Sequence, residues 1–231
     1  MEPTPTAEVK HSGILDQLGQ EITAGHIPAG SALTLASIEE RFGISRTVAR
    51  EVMRSLEACG LTESRRRVGI VVLPKQRWQA LDPLVIEWRL KGPNREQQLR
   101  SLTELRTGVE PVAAAAAAQH ATPQQRARLV ELAQILANAS HANDGFHSSD
   151  IEFHTLLLEA SGNAMFTAMT KILQVSLTTR VSHGLFPATP RKQAIDAHVA
   201  VAQAIHSGNA DLAFQHTVAM LATLRTDLFS K

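Results

Sequence analysis

At 231 residues the chain is long enough for one large or two small domains, each with its own buried core. Hydrophobic residues make up 44% and aromatics only 4%; the single cysteine, Cys59, excludes an intrachain disulfide framework. The net charge of +1 excludes bulk attraction to a polyanion, yet the charge is uneven: Arg41 to Lys75 holds eight Lys/Arg against three Asp/Glu, the rest of the chain fifteen against nineteen.

No run of about 18 apolar residues occurs, and the N-terminus is polar and proline-containing, unlike a signal peptide, so a cytoplasmic protein without a membrane partner is expected. Residues 1–9 read as a disordered tail. From Ser12 to Ala24 the helical spacing of Ile14, Leu15, Leu18 and Ile22 predicts a first helix, ended by the Gly/Pro-rich turn Gly25 to Gly30. A short helix over Leu35 to Phe42 closes at Gly43, and Ser45 is a good N-cap for the next. Val48, Val52, Leu56 and Cys59 form one stripe of that helix, while Arg46, Arg50 and Arg54, four apart, form another. The buried stripe makes Cys59 a packed thiol rather than a reactive one. The pattern is helix–turn–helix, with the second helix suited to a DNA major groove.

An amphipathic helix with a merely solvated basic face has the same stripes, so the residues that follow decide. Arg65, Arg66, Arg67 and Gly69 precede the β-branched run Ile70 to Val72, which reads as a basic hairpin tip beside the helix, a wing able to reach phosphates or a minor groove. The expected DNA-binding domain therefore spans 10–75. A connector over 76–95 carries Trp78, Leu81, Val85 and Trp88 at helical spacing, expected to pack between domains. Beyond Gly92-Pro93, six periodic stretches predict an antiparallel helical bundle over 96–231: Leu99–His120, Pro123–Ala139, His147–Ala160, Ala164–His183, Pro190–Ser207 and Ala210–Phe229. The fold class is thus mainly α, a winged helix-turn-helix followed by an all-helical bundle. The alanine run Ala113 to Ala118 argues for close helix packing.

The motifs together resemble a known family. Ser45-Arg46-Thr47-Val48-Ala49-Arg50-Glu51-Val52 with Leu56, Gly60-Leu61 and Gly69 resembles the winged helix of GntR-type bacterial transcription regulators. Leu105 to Pro111, Asp150-Ile151-Glu152-Phe153-His154, Ser161-Gly162-Asn163 and Ala197-His198 resemble the FCD effector domain of their FadR branch, and the connector resembles that of galactonate-type regulators within it. The resemblance implies a homodimeric operator-DNA-binding repressor, answering to a small carboxylate such as galactonate or a related aldonate. It assigns DNA contacts to Ser45, Arg46, Thr47, Arg50, Arg54, Arg65, Arg66, Arg67 and Gly69. One departure is Ala36, where many members carry a DNA-contacting arginine.

Asp150 and His154, one turn apart, project from one helix face. Many FCD domains use such a pair with two later histidines to hold a divalent cation. The first corresponds to His198, but the second falls at Met220; His216, one turn earlier, is a substitute the family pattern does not supply. Three N/O ligands with open positions suit Zn²⁺ or another first-row ion, and equally suit direct hydrogen bonding to a ligand. Arg106 is the expected fork for an effector carboxylate, with a salt bridge to Glu104 or Glu110 as the plainer reading. Asn163 is a candidate effector contact that also suits a helix cap, and Arg180 with His183 is placed at the pocket mouth. An enzyme is not expected, since no HExxH, nucleophile elbow or phosphate-binding glycine loop occurs.

Overall fold

In the computed structural model the backbone is described at 7–138, 145–182 and 192–229, with side chains described over the same ranges except 7–10, 180–182 and 223–229. The chain divides into two compact units, Met1–Gln98 and Leu99–Lys231.

The first unit runs α1 (Ala7–Ala24), β1 (Ala32–Leu33), α2 (Leu35–Phe42), α3 (Arg46–Ala58), β2 (Thr62–Arg65), β3 (Gly69–Val72) and α4 (Pro83–Lys91). Thr34 and Ser37 exchange side-chain-to-backbone hydrogen bonds as a capping box at the start of α2, and Gly43 ends it in the left-handed conformation. Ser45 Oγ accepts the Val48 N–H at 3.5 Å and starts α3. The apolar stripes of α1, α2 and α3 meet in one core, where Leu18, Ile22, Ile38, Val52 and Leu56 are buried. Cys59 is buried there too, and burial first, then Asp82, pushes its thiol up to about 12.

The helix–turn–helix, the wing and the bounds of α2 match the sequence expectation. Helix α1 begins at Ala7, inside the expected tail; residues 1–6 lie outside the described residues. The sheet contains a strand the sequence did not suggest. Two-residue β1 pairs antiparallel with β3, giving the order β1-β3-β2. Gly69 permits this: its φ of 109° is left-handed, and a methyl there would collide with the Leu33 carbonyl.

The connector corrects a second expectation. Val85 and Trp88 are fully buried in the core of the first unit rather than held for a seam between domains, and Leu81 is exposed. Trp88 lies on α1, its Nε1–H donating to Asp16 Oδ1 at 2.9 Å. Gly19 makes room, because any β-carbon at that position would run into the indole. Trp78 is half-buried against the same core and donates to the Leu73 carbonyl at 2.8 Å.

The second unit is helical: α5 (Arg95–His120, entering from the first unit), α6 (Pro123–Asn138), α7 (Phe146–Ala160), α8 (Ala164–Ala168), α9 (Thr170–Ser182), α10 (Lys192–His206) and α11 (Ala210–Phe229). The expected fourth stretch is two helices, because the Met169 N–H turns back to Phe166 and Thr167 and closes α8 after five residues. Helix α10 packs on α6 and α11, and α7 packs on α6 and α9. Ala113, Ala114, Ala117 and Ala118 are buried in this core, so the alanine run allows the close approach expected of it. Arg126 ties helix ends together, donating to the carbonyls of Ala118 at 2.7 Å, Ala121 at 3.1 Å, Ile205 at 2.5 Å and His206 at 3.2 Å. Among the described residues no helix is long and apolar enough to cross a membrane.

Candidate functional site

The first unit presents a cationic face. Ser45, Arg46, Thr47, Arg50 and Arg54 are all exposed along the start and outer side of α3, as are Arg65, Arg66 and Arg67 at the wing. The wing turn closes with the Val68 N–H on the Arg65 carbonyl at 3.1 Å and sets Arg67 in the left-handed region at φ 66°. Arg54 is paired with Glu51 at 2.8 Å and Arg65 with Glu63 at 2.8 Å. Among the described residues Arg46, Arg50, Arg66 and Arg67 have no such pair, so their charge is unspent. Half a helix face and a hairpin tip thus offer guanidinium groups to an anionic surface.

The second unit buries its polar group. Helix α5 supplies Arg106 and Glu110, α7 supplies Asp150 and His154, each pair one turn apart, and α10 supplies His198. All five are buried, Glu110 to 1% exposure. Arg106 Nε donates to Glu110 Oε1 at 2.5 Å, and Arg106 Nη2 reaches His154 Nε2 at 3.1 Å. His154 Nδ1 meets Glu110 Oε2 at 2.7 Å. On the far side, Asp150 Oδ1 lies 3.7 Å from His154 Nε2 and 3.2 Å from His198 Nε2. Phe153 walls the group, its ring 5.0 Å from that of His198.

Hydrogen-bond logic fixes the protons. Burial pushes the Glu110 carboxyl up, but the Arg106 guanidinium and the His154 imidazole overcome it and hold it at about 2, so it is an acceptor. His154 Nδ1 must then carry the proton, leaving Nε2 to accept from Arg106; burial favours the neutral ring and lowers the pKa of His154. His198 Nδ1 donates to the Ala194 carbonyl at 2.7 Å, which turns Nε2 toward Asp150. That atom is buried with no hydrogen-bond partner, although it lies within contact range of the Asp150 carboxylate. The two atoms are close without the alignment that a hydrogen bond needs. Asp150 is ionised as well: its burial is outweighed by His198, His154 and Arg106, which hold its carboxyl well below the ordinary range.

One oxygen of Asp150 and one nitrogen each of His154 and His198 lie within 4.8 Å of one another, an N₂O donor set that fits a divalent metal with open positions. Arg106 and Glu110 also line a small, partly open cleft whose other walls include Leu102, Val109, Met169, Ile172 and Ser176.

Two family models match the chain, "Bacterial regulatory proteins, gntR family" over residues 10–72 and "FCD domain" over residues 101–223. The chain belongs to the GntR family of transcription regulators, with an FCD domain. This GntR/FCD regulator is 31% identical over 219 residues to the galactonate operon transcriptional repressor of Escherichia coli (strain K12), covering 93% of this chain and 94% of that one. It is 33% identical over 135 residues to the Uxu operon transcriptional regulator of the same strain, covering 57% and 50%. In fold it matches the solved structure of Lar, which controls expression of the Listeria monocytogenes agr system, with a TM-score of 0.60, 16% identity, and 100% and 99% coverage. These relatives are regulators rather than enzymes.

The GntR/FCD regulator therefore brings Arg106, Asp150, His154 and His198 into one buried cluster. Asn163 sits apart from it, exposed, with Oδ1 capping α8 through the Met165 N–H at 2.8 Å. His216 is half-buried and does not join the donor set, while Met220 is buried in the core of the unit. The Arg180 side chain and His183 lie outside the described residues. Glu110, weighed in the sequence only as a salt-bridge partner, proves central, and its signal was the spacing Arg106-x₃-Glu110 on the buried face of one helix.

Proposed function

We propose that this regulator is a homodimeric, cytoplasmic repressor of sugar-acid catabolism, in which an anionic effector entering the FCD unit changes the fit of the two α3 helices to operator DNA. In this reading 10–75 is the DNA-binding module, 76–95 the connector and 96–231 the effector and dimerisation module. Arg46 and Arg50 contact base edges and phosphates, while Arg54, Arg65, Arg66 and Arg67 contact phosphates. Ser45 and Thr47 add hydroxyl contacts at the start of the helix, and Gly69 keeps the wing backbone close. The support is the set of exposed, unpaired guanidinium groups at the place where a winged helix meets a duplex.

Asp150, His154 and His198 would hold a divalent cation, Zn²⁺ or another first-row ion. A bound cation supplies positive charge to which a carboxylate or hydroxyl can attach. The single observation that carries this is the buried His198 Nε2, without a hydrogen-bond partner and 3.2 Å from Asp150 Oδ1. Met220 leaves the fourth position to solvent or to the effector. Arg106, already at the cleft, is the fork for the effector carboxylate. A sugar acid is the favoured class because a relative 31% identical is a galactonate operon repressor. Repression is relieved only to the extent that the acid prefers one dimer arrangement over the other.

A thermal-shift screen of aldonates, uronates and short hydroxy acids, each with and without Zn²⁺, tests the reading. A sugar acid should raise the midpoint, and more so with Zn²⁺. No response to any acid in either condition would sink it.

A further inference from the structure

Outside the three candidate ligands, Glu110 is a buried carboxylate that does more than pair with Arg106. It lies on α5, 1% exposed, in a core where an ionised carboxylate is expensive to keep. Its two oxygens are divided between two partners, Oε1 on Arg106 Nε and Oε2 on His154 Nδ1. An arginine alone would be satisfied by both oxygens in a two-pronged fork. Here the carboxylate gives one of them to a histidine on a different helix. From this geometry we infer that Glu110 is a positioning residue that fixes His154 in the Nδ1–H tautomer, so that Nε2 is the nitrogen offered to the cation. The inference rests on the metal reading of Asp150, His154 and His198 given above.

The chemistry follows from the two ring nitrogens. Without an acceptor at Nδ1, neutral imidazole is free to carry its proton on either nitrogen, and the ring is free to turn. With Glu110 in place, Nδ1 is held as a donor and Nε2 keeps its lone pair, facing Asp150 Oδ1 at 3.7 Å. The His198 ring is fixed by another route, its Nδ1 donating to the Ala194 carbonyl at 2.7 Å on its own helix. The two imidazoles thus present equivalent nitrogens to one carboxylate oxygen, each fixed from behind by an acceptor.

Arg106 completes the arrangement. Its Nη2 lies 3.1 Å from His154 Nε2, the nitrogen that would ligate a cation. The guanidinium stays tethered to Glu110 through Nε when that contact is exchanged. A cation held at His154 Nε2 would displace that contact and leave one Arg106 N–H for an acid.

The test uses full-length, metal-free protein with Zn²⁺ alone as the probe. A long-range ¹H–¹⁵N spectrum reports the His154 tautomer, and competition against a chromophoric chelator reports Zn²⁺ affinity. The wild type should show the Nδ1–H form and bind Zn²⁺. In Glu110→Gln the ring should lose its single tautomer and Zn²⁺ should bind about tenfold to hundredfold more weakly, the usual range for losing such a partner. The wild-type spectrum decides the tautomer even where the variant folds poorly. A wild type that binds Zn²⁺ while holding the Nε2–H form overturns the inference alone, as does Glu110→Gln keeping both tautomer and affinity. A wild type that takes up no Zn²⁺ overturns the metal reading and the inference with it.

Discussion

Replacing Arg106 by Met should leave the Glu110 carboxylate buried with only a neutral imidazole beside it. Both partners are almost wholly withdrawn from solvent, Arg106 at 6% exposure and Glu110 at 1%. Removing one partner of such a pair costs about 3–5 kcal/mol, since the remaining charge is stranded in a low-dielectric core. For a helical unit of this size that is a fall of roughly 10–25 °C in its thermal midpoint. Glu110→Leu should cost a similar amount by stranding the guanidinium. The double variant Arg106→Met with Glu110→Leu strands neither charge of the pair and leaves the two His154 ring nitrogens without these partners, a cost of about 1–3 kcal/mol each. The double variant should therefore be more stable than either single one. Urea unfolding of chelator-treated protein, followed by far-UV circular dichroism, measures all four species without a metal contribution. Single variants that lose less than about 1 kcal/mol, or a double variant whose loss is their sum, would refute the picture of a mutually dependent buried pair.

Three further outcomes follow from the same geometry. Arg126→Ala should destabilise the FCD unit by about 2–4 kcal/mol in urea titration, because one guanidinium supplies hydrogen bonds to four helix-end carbonyls. Arg50→Ala should weaken DNA binding and reduce the slope of log affinity against log salt by about one, read by fluorescence anisotropy; Arg54→Ala should do less, since Arg54 gives up its Glu51 pair on binding. On acidification, the depressed carboxyls of Glu110 and Asp150 give the direction. Their contribution is fully present above the ordinary carboxylate pKa of about 4.5 and is lost as pH falls from there toward the folded value of Glu110, about 2, so the midpoint should drop across that window. A midpoint that held steady there would count against both buried ionised groups.

Much of the DNA-binding unit was legible because its signals are local. Thr34 and Gly43 bracket α2, Ser45 starts α3, and two stripes with helical spacing separate the core from the arginines. What escaped the sequence depends on partners far away in the chain. Two-residue β1 is too short for any alternation to register and exists because β3 offers it an edge. Trp88 reads as a residue packed between domains until Gly19, on a helix some seventy residues earlier, is seen to leave room for its ring. In the FCD unit, Asp150-x₃-His154 was visible as a pair on one face, and the resemblance added His198 and Arg106. The sequence did not reveal that Glu110 would turn one oxygen toward His154, because that depends on how α5 and α7 pack. Nor did it reveal the break between α8 and α9, where no proline or glycine marks the end of a helix.

The central claim joins a cationic winged helix to a buried acid sensor, and one comparison tests it most directly. DNA recovered by the full-length protein from a random-sequence pool serves as the probe, and Zn²⁺-loaded wild type is set against Asp150→Asn in an anisotropy titration. The acid with the largest thermal shift is then added at one fixed concentration. Both proteins should hold the DNA equally well without the acid, and the acid should loosen the wild-type complex while leaving Asp150→Asn in place. An Asp150→Asn complex that responds to the acid as the wild type does would contradict it.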